Sequence, residues 1–188
     1  IYFIKNISTG SVTIDPAGAE TIAGNSVLKL GGSNSAIACV SDNVNWHLIM
    51  DKNVSMVKVL LATTAIPDST VTQPTFLSEV YDYNDEWTAN SFTCKIAGLY
   101  HLQFSAIIQI ELTGTATLIA INRGAEQLVA VQWPPVMGNS DQIASVSGIF
   151  YLAVGNNIIP LVLQTCSPPS NRNIVAGASN FFTVTKIG

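Results

Sequence analysis

One stretch, Phe92 to Leu112, constrains the fold of this chain more than any other feature. Every second residue from Phe92 onward is apolar or aromatic, except for Gly98. Most of the intervening residues are polar, namely Thr93, Lys95, His101, Gln103, Ser105, Gln109 and Glu111. Because side chains on a strand alternate between two faces, this period of two predicts a β-strand with one face against a core. Gly98 is expected where the strand bends or where a neighbouring backbone comes close.

The chain from residue 56 to 188 continues in the same manner. Strand-like runs follow one another: MVKVLLA, TATLIAIN, EQLVAVQW, QIASVSGIFYLAV, IIPLVLQTC and NFFTVTKI. A Thr- and Pro-rich stretch after Ala62 predicts a long loop, because Pro67 and Pro74 cannot donate to a β-ladder. About eight strands without a helical period predict an all-β, two-sheet sandwich, most simply a jelly roll.

Residues 1–55 form a separate region in this interpretation. Their β-prone runs are short and are separated by turn sequences such as STG, PAG and DNVN. A ribbon of this kind has too little apolar surface to fold as an independent globule, so we expect it to dock against copies of itself. The predicted domain boundary lies between Asp51 and Ser55, which gives a β shaft at 1–55 and a head at 56–188.

Composition limits the partners of the chain. Only 11% of its residues are charged, against about 25% in an ordinary soluble domain, which favours surface buried between subunits. The net charge of −4 argues against nucleic-acid binding, and no apolar run is long enough for membrane insertion. Cys39, Cys94 and Cys166 are spaced too widely for a disulfide framework or a metal motif, and we expect unpaired thiols and folding in a reducing cytosol. Because the first residue is Ile and no signal peptide follows, the chain is interpreted as a fragment or a processed product.

The first region resembles a module of bacteriophage tail fibres and virion spikes. The matching residues are IKNISTGSVTIDPAGAETIAGNSVLKL and CVSDNVNWHLI, within residues 3–49. Asn43 stands where the module has glycine after its SD pair. The resemblance implies a phage virion protein whose missing N-terminal part contacts other virion proteins.

The second region resembles the trimeric jelly rolls of the TNF-like and complement-globular-head superfamily. The residues that carry this resemblance are Phe92, Ala97, Gly98, Leu99, Tyr100, His101, Leu102 and Phe104, then Tyr151, Leu152, Gly155 and Asn156, and finally Asn180, Phe181 and Phe182. The resemblance implies a homotrimer.

No catalytic or cofactor motif occurs, so the chain is not predicted to be an enzyme and no cofactor is expected. His47 and His101 are assigned structural roles. Asp82, Asp85 and Glu86 are weak calcium candidates, because clustered carboxylates are the ligands that calcium prefers. The alternative is a solvated loop before a strand.

Three residues are candidates for receptor contact. The segment from Gln132 to Asp141 is predicted to be a loop, in which Trp133, two prolines and Met137 together could form a rigid apolar platform for a sugar or a protein. The alternative is that Trp133 ends a strand and packs on the core or on a neighbouring subunit. Arg172 is expected to be exposed in the loop SPPSNRN, where it could pair with an anionic receptor group or remain solvated.

Together these observations predict a virion spike or tail-fibre protein that is assembled in the host cytoplasm and displayed on the virion surface. Its trimeric head would attach the phage to a glycan or protein receptor on the host cell. The alternatives are a secreted TNF- or complement-like ligand or adhesin, a spike that depolymerises polysaccharide, and a purely structural spike.

Overall fold

The computed structural model describes residues 1–31, 35–52, 55–109, 115–136, 141–166 and 169–187. The chain divides into two compact units, Ile1–Ser55 and Met56–Gly188. All regular elements in the described ranges are strands, so the predicted all-β class is confirmed. The same ranges contain no helix with the length and apolarity that a membrane span requires.

The first unit contains two small sheets. Its five strands are β1 (Tyr2–Lys5), β2 (Val12–Ile14), β3 (Leu28–Leu30), β4 (Ala36–Ser41) and β5 (Trp46–Lys52). One sheet has the order β1-β4-β5, and the other is the hairpin β2-β3. The fully buried core of this unit consists of Leu30, Ile37 and Cys39, with half-buried neighbours packed around them.

The turn between β4 and β5 contains Asn43 in a left-handed conformation. Asn43 has a φ of 71°, a left-handed conformation that Asn tolerates better than most residues. Asp42 Oδ1 accepts hydrogen bonds from the backbone N–H groups of Val44 and Asn45. Asn43 therefore adopts a conformation for which glycine and asparagine are the favoured residues.

The second unit is a two-sheet sandwich. Its twelve described strands are β6 (Met56–Leu61), β7 (Thr64–Ile66), β8 (Phe76–Asp82), β9 (Trp87–Thr88), β10 (Ser91–Thr93), β11 (Gly98–Ile108), β12 (Thr115–Arg123), β13 (Glu126–Val136), β14 (Gln142–Leu152), β15 (Asn157–Thr165), β16 (Arg172–Ile174) and β17 (Phe181–Lys186). The first sheet, called here the β11 sheet, has the order β7-β16-β11-β17-β6-β8, and β14 pairs with the other side of β11. The second, called the β12 sheet, has the order β13-β12-β15-β10-β9.

The stretch at Phe92–Leu112 crosses between the two sheets. Phe92 lies on β10 in the β12 sheet, whereas Gly98–Ile108 forms β11 in the other sheet. The expectation of one continuous strand is therefore wrong, and Gly98 marks the start of the second strand. The chain changes sheets here. Phe92 and Cys94 are buried before the crossing and Tyr100 and Leu102 after it, so the alternation of apolar and polar residues continues from one strand to the next. Ile110 and Leu112 lie outside the described residues.

The core of the second unit is formed by the facing sides of the two sheets. Phe104 and Phe182 lie opposite each other on β11 and β17, with ring centroids 6.5 Å apart and nearly perpendicular rings. Phe92 packs on Tyr100 at a centroid distance of 5.8 Å. Each such buried side chain contributes about 1.5–3 kcal/mol by leaving water. This core fixes the orientation of β11, and hence which residues its outer face presents.

Candidate functional site

The outer face of the β11 sheet carries exposed apolar side chains that come from separate strands. Leu99 on β11 lies opposite Tyr151 on β14, and Ile107 lies opposite Ile143. Between these pairs His101 faces Ile149, Gln103 faces Ser147 and Ser105 faces Ser145, so the row is polar apart from Ile149, which lies next to the Leu99–Tyr151 end. The apolar residues are therefore gathered at the two ends of the β11–β14 pair.

The larger group, called here the apolar patch, consists of Leu99, Ile149, Tyr151 and Ile187. Their exposed fractions are 45%, 60%, 61% and 53%. The backbone N–H of Ile187 donates to the carbonyl of Leu99 at 2.8 Å, which places the end of the chain beside β11. Contiguous apolar surface of this kind marks an interaction site more often than single exposed residues do.

The sequence pointed to only part of this patch. Leu99 and Ile107 interrupt an otherwise polar row, and that signal is visible in the sequence. Ile149 and Tyr151 are less conspicuous, because the same strand also carries the core-facing residues Ala144, Val146 and Leu152. The second apolar row of QIASVSGIFYL was the available signal.

Trp133 lies on a strand rather than in a loop. It belongs to β13, opposite Thr117 of β12, and it packs half-buried against the main core. The expected loop therefore begins later, because β13 continues to Val136. The two prolines are accommodated since β13 is the edge strand of its sheet and needs no further ladder donors. Met137 lies outside the described residues.

Arg172 is not exposed in a loop, and that expectation is wrong. It begins β16, opposite Ile66 of β7, and only 6% of it is exposed. Arg172 and Ile174 are buried whereas Asn173 between them is exposed, so the alternation of β16 places Arg172 on the buried face. Nearby, the backbone N–H of Cys166 donates to Asp68 Oδ1 at 2.8 Å. This bond and, to a smaller extent, the Ser69 hydroxyl and the positive charge of Arg172 lower the pKa of Asp68 below its usual value, although desolvation of the carboxylate opposes them.

The acidic turn between β8 and β9 binds its own backbone. Asp82 Oδ1 accepts from the N–H of Glu86 at 2.9 Å, and Asp82 Oδ2 accepts from the N–H of Trp87 at 2.7 Å. Asp85 is exposed at the tip, with a left-handed φ of 52°. The Asp82 carboxylate thus closes the turn that leads into β9.

Glu86 is fully buried and connects this turn to the crossing before β11. Its Oε1 accepts from the backbone N–H of Lys95 at 2.9 Å, and its Oε2 accepts from Asn84 Nδ2 at 3.3 Å. Lys95 Nζ in turn donates to the carbonyl of Asn84 at 2.8 Å. Within the described ranges no group of three or more His, Cys, Asp or Glu side chains is arranged to hold a metal ion. The geometry of the turn is that of a hydrogen-bonded structural connection.

The histidines and cysteines do not converge on a site in the described parts of the chain. His47 Nε2 lies 2.7 Å from Asp42 Oδ2 on the surface of the first unit. His101 lies on the outer face of β11, opposite Ile149. The thiols of Cys39 and Cys94 are buried and that of Cys166 is half-buried, and none forms a disulfide. Burial raises the pKa of Cys94, which keeps this thiol protonated and unreactive at neutral pH.

Comparison with solved structures identifies the fold of the second unit. A TNF protein described as Eiger, from S. frugiperda, aligns with a TM-score of 0.56 at 7% identity, covering 73% of this chain and 94% of its own. Murine APRIL, determined at pH 5.0, aligns with a TM-score of 0.53 at 15% identity, covering 72% of this chain and all of its own. No protein-family model matches the sequence, and neither does any curated protein.

These alignments and the strand order define the class of the chain: an all-β protein with a TNF-like jelly-roll sandwich. The predicted jelly roll is confirmed.

Proposed function

We propose that this chain is a homotrimeric attachment protein whose jelly-roll head binds a receptor on a cell surface. The observation that carries the proposal is the apolar patch on the outer face of the β11 sheet. Burial of the patch favours self-association of the chain. Self-association in turn joins three identical receptor sites in one particle.

The energetics of the patch support self-association. Leu99, Ile149, Tyr151 and Ile187 are each about half exposed. Completing their burial contributes about 1 kcal/mol per side chain, or about 4 kcal/mol per subunit. Ile107 and Ile143 add further apolar surface at the other end of the same strand pair. The trimeric assembly implied by the TNF-like resemblance gives this face a defined occupant, a surface of another copy of the chain.

Trimer formation strengthens weak receptor contacts. When three binding sites are linked rigidly, the second and third contacts occur at an effective concentration in the millimolar range, and avidity rises about 10²–10⁴-fold over one site. Trp133 remains a contact candidate on the edge strand β13, where its half-buried ring combines a fixed orientation with some accessible surface. A receptor can be either a glycan or a protein, since a flat aromatic ring contacts both.

The finer assignment is a phage spike or tail fibre displayed on the virion. It is supported by the sequence pattern of residues 3–49 and by the left-handed conformation of Asn43 in the turn that closes this pattern. The small core of the first unit also fits a shaft that is stabilised by neighbouring copies. In this assignment the protein also contacts other virion proteins.

The second candidate is a secreted TNF- or complement-like ligand that binds a host protein. It is favoured by the fold of the head, which is shared with TNF proteins of animals. The first unit separates the two candidates, because a shaft is required in a spike and is unnecessary in a soluble ligand.

The first experiment measures the oligomeric state by sedimentation equilibrium. We expect the intact chain to be trimeric at micromolar concentration and the Ile149→Ser/Tyr151→Ser variant to dissociate. Val71→Ser is the matched control, because Val71 is 60% exposed in the connection that pairs with β15 of the other sheet. A folded, monomeric wild-type chain would refute self-association.

The second experiment measures binding of the labelled chain to intact bacterial cells and to animal cells. The spike assignment requires binding to bacteria of a particular host and its loss, by about 10²-fold or more, in the dissociated variant. Trp133→Ala tests the contact residue, with the exposed Gln132→Ala as its control on the same strand. Binding to animal cells alone would contradict the spike assignment and support the soluble ligand.

A further inference from the structure

The first unit contains a cleft that the proposed attachment function does not use. Its volume is about 260 Å³, and all of its lining residues lie between positions 2 and 46. The most buried of them are Ile22 and Cys39, each 3% exposed. Ile4 and Ile14 extend this apolar lining. The cleft is large enough for a small organic group and offers it an apolar base.

Two aromatic rings form adjacent walls of the cleft. The rings of Tyr2 and Trp46 are 5.3 Å apart between centroids and are inclined by 75°. The backbone of Trp46 is fixed on both sides, since its N–H donates to Thr21 O and its carbonyl accepts from the N–H of Ala23, both at 2.8 Å. Two nearly perpendicular rings can surround a rounded group from two directions at once.

The charges at the cleft are all negative. Asp15 and Glu20 belong to its lining, and the lining includes no Lys, Arg or His. Trp46 Nε1 donates to Glu20 Oε2 at 2.8 Å, so this carboxylate is held against the indole ring. An anionic ligand is therefore disfavoured, and a cation finds both a carboxylate pair and aromatic faces.

The chemistry of the lining selects one class of cation. A primary ammonium could donate to the Asp15 and Glu20 carboxylates, but the isoleucine and cysteine side chains offer no acceptors for its remaining N–H groups. A saccharide likewise needs directional polar partners. A methylated ammonium carries its charge under an apolar surface, so it matches apolar walls, aromatic faces and a nearby negative charge together.

We propose that this cleft binds a methylated ammonium group such as that of choline. Tyr2 and Trp46 contact the methyl groups through cation–π interactions, and Asp15 and Glu20 supply the counter-charge. The site lies within the first unit and does not depend on the attachment function proposed for the head.

Isothermal titration calorimetry on the intact chain tests the site with three ligands. Choline should bind saturably in the millimolar range or below. The neutral isostere 3,3-dimethylbutan-1-ol, which has the same shape without the charge, should bind about 10-fold more weakly. Phosphocholine distinguishes a lipid headgroup from free choline: its phosphate adds negative charge close to Asp15 and Glu20, so it should bind more weakly than choline.

Two variants assign the binding to these residues. Glu20→Gln keeps an acceptor for the indole N–H. It should weaken the binding of choline severalfold and leave the affinity for the neutral isostere unchanged. Trp46→Phe should weaken the binding of choline further, because phenylalanine has a less electron-rich ring than tryptophan. Glu126→Gln, an exposed carboxylate paired with Arg123 in the other unit, is the matched control and should leave the affinity unchanged.

Three results would overturn the proposal: no saturable heat with choline, equal affinity for choline and its neutral isostere, or unchanged choline affinity in Glu20→Gln. The Ile149→Ser/Tyr151→Ser variant separates this site from the attachment function. It should bind choline like the wild-type chain even where it no longer binds cells.

Discussion

Replacing Glu86 tests whether the acidic turn is a structural connection or a metal site. The carboxylate is fully buried and accepts from the backbone of Lys95 and the side chain of Asn84. In Glu86→Ala both donors lose this acceptor. Each such loss costs about 1–3 kcal/mol, so we expect the free energy of unfolding to fall by about 2–6 kcal/mol. For a chain of this size that lowers the Tm by about 4–24 °C.

Thermal unfolding monitored by circular dichroism measures this decrease in stability. Glu86→Gln retains one acceptor oxygen but turns an NH₂ group toward a donor, and it should give an intermediate decrease. Asp85→Asn is the matched control in the same turn. It removes a carboxylate that is exposed, and Asn tolerates the left-handed φ of 52° at this position. We expect its unfolding free energy to change by less than about 0.5 kcal/mol.

Adding calcium tests the alternative that the acidic turn is a metal site. If the turn is held by its own hydrogen bonds, added calcium leaves the Tm of the wild-type chain unchanged. The reasoning is refuted if calcium raises the Tm of the wild type but not of Glu86→Gln, or if Glu86→Ala unfolds at the wild-type temperature.

Three further predictions concern stability. The lowered pKa of Asp68 means that its charge stabilises the fold above its unfolded pKa, near 3.8, and that this contribution disappears as the pH falls through the folded pKa. Urea midpoints of wild type and Asp68→Asn should therefore differ at neutral pH and converge in acid; a constant difference would contradict this. Asn180→Ala removes the buried acceptor of the Ile107 N–H, at 2.6 Å, and should cost about 1–3 kcal/mol in urea unfolding, with Asn173→Ala as the exposed control. Phe104→Ala should cost about 3–5 kcal/mol by the same assay, and a value below that of Asn180→Ala would show that the aromatic core is not as closely packed as described.

Much of the head could be predicted because its signals are local. The alternation in GLYHLQFSAII identifies the buried face of β11 without knowledge of any other strand. The turn residues Gly124 and Gly155 both adopt a left-handed φ, as their positions between apolar runs indicated. Such features depend on a few neighbouring residues, so the sequence displays them directly.

The burial of Glu86 and Arg172 could not be read in the same way. Both stand in polar segments that resemble solvated loops. Glu86 is buried and Lys95 and Asn84 supply donors to its two oxygens, whereas Arg172 shares the buried face of β16 with Ile174. A charged side chain is buried only where partners compensate its desolvation, and those partners come from other parts of the chain.

The sequence by itself determined the all-β class, the alternating core face of the head and the turn chemistry of the first unit. Tertiary structure alone decided that Phe92 and Phe104 belong to different sheets, and that Leu99, Ile149, Tyr151 and Ile187 lie together on one surface. The reason is physical: alternation records which face of a strand avoids water, whereas strand pairing depends on contacts between segments far apart in the chain.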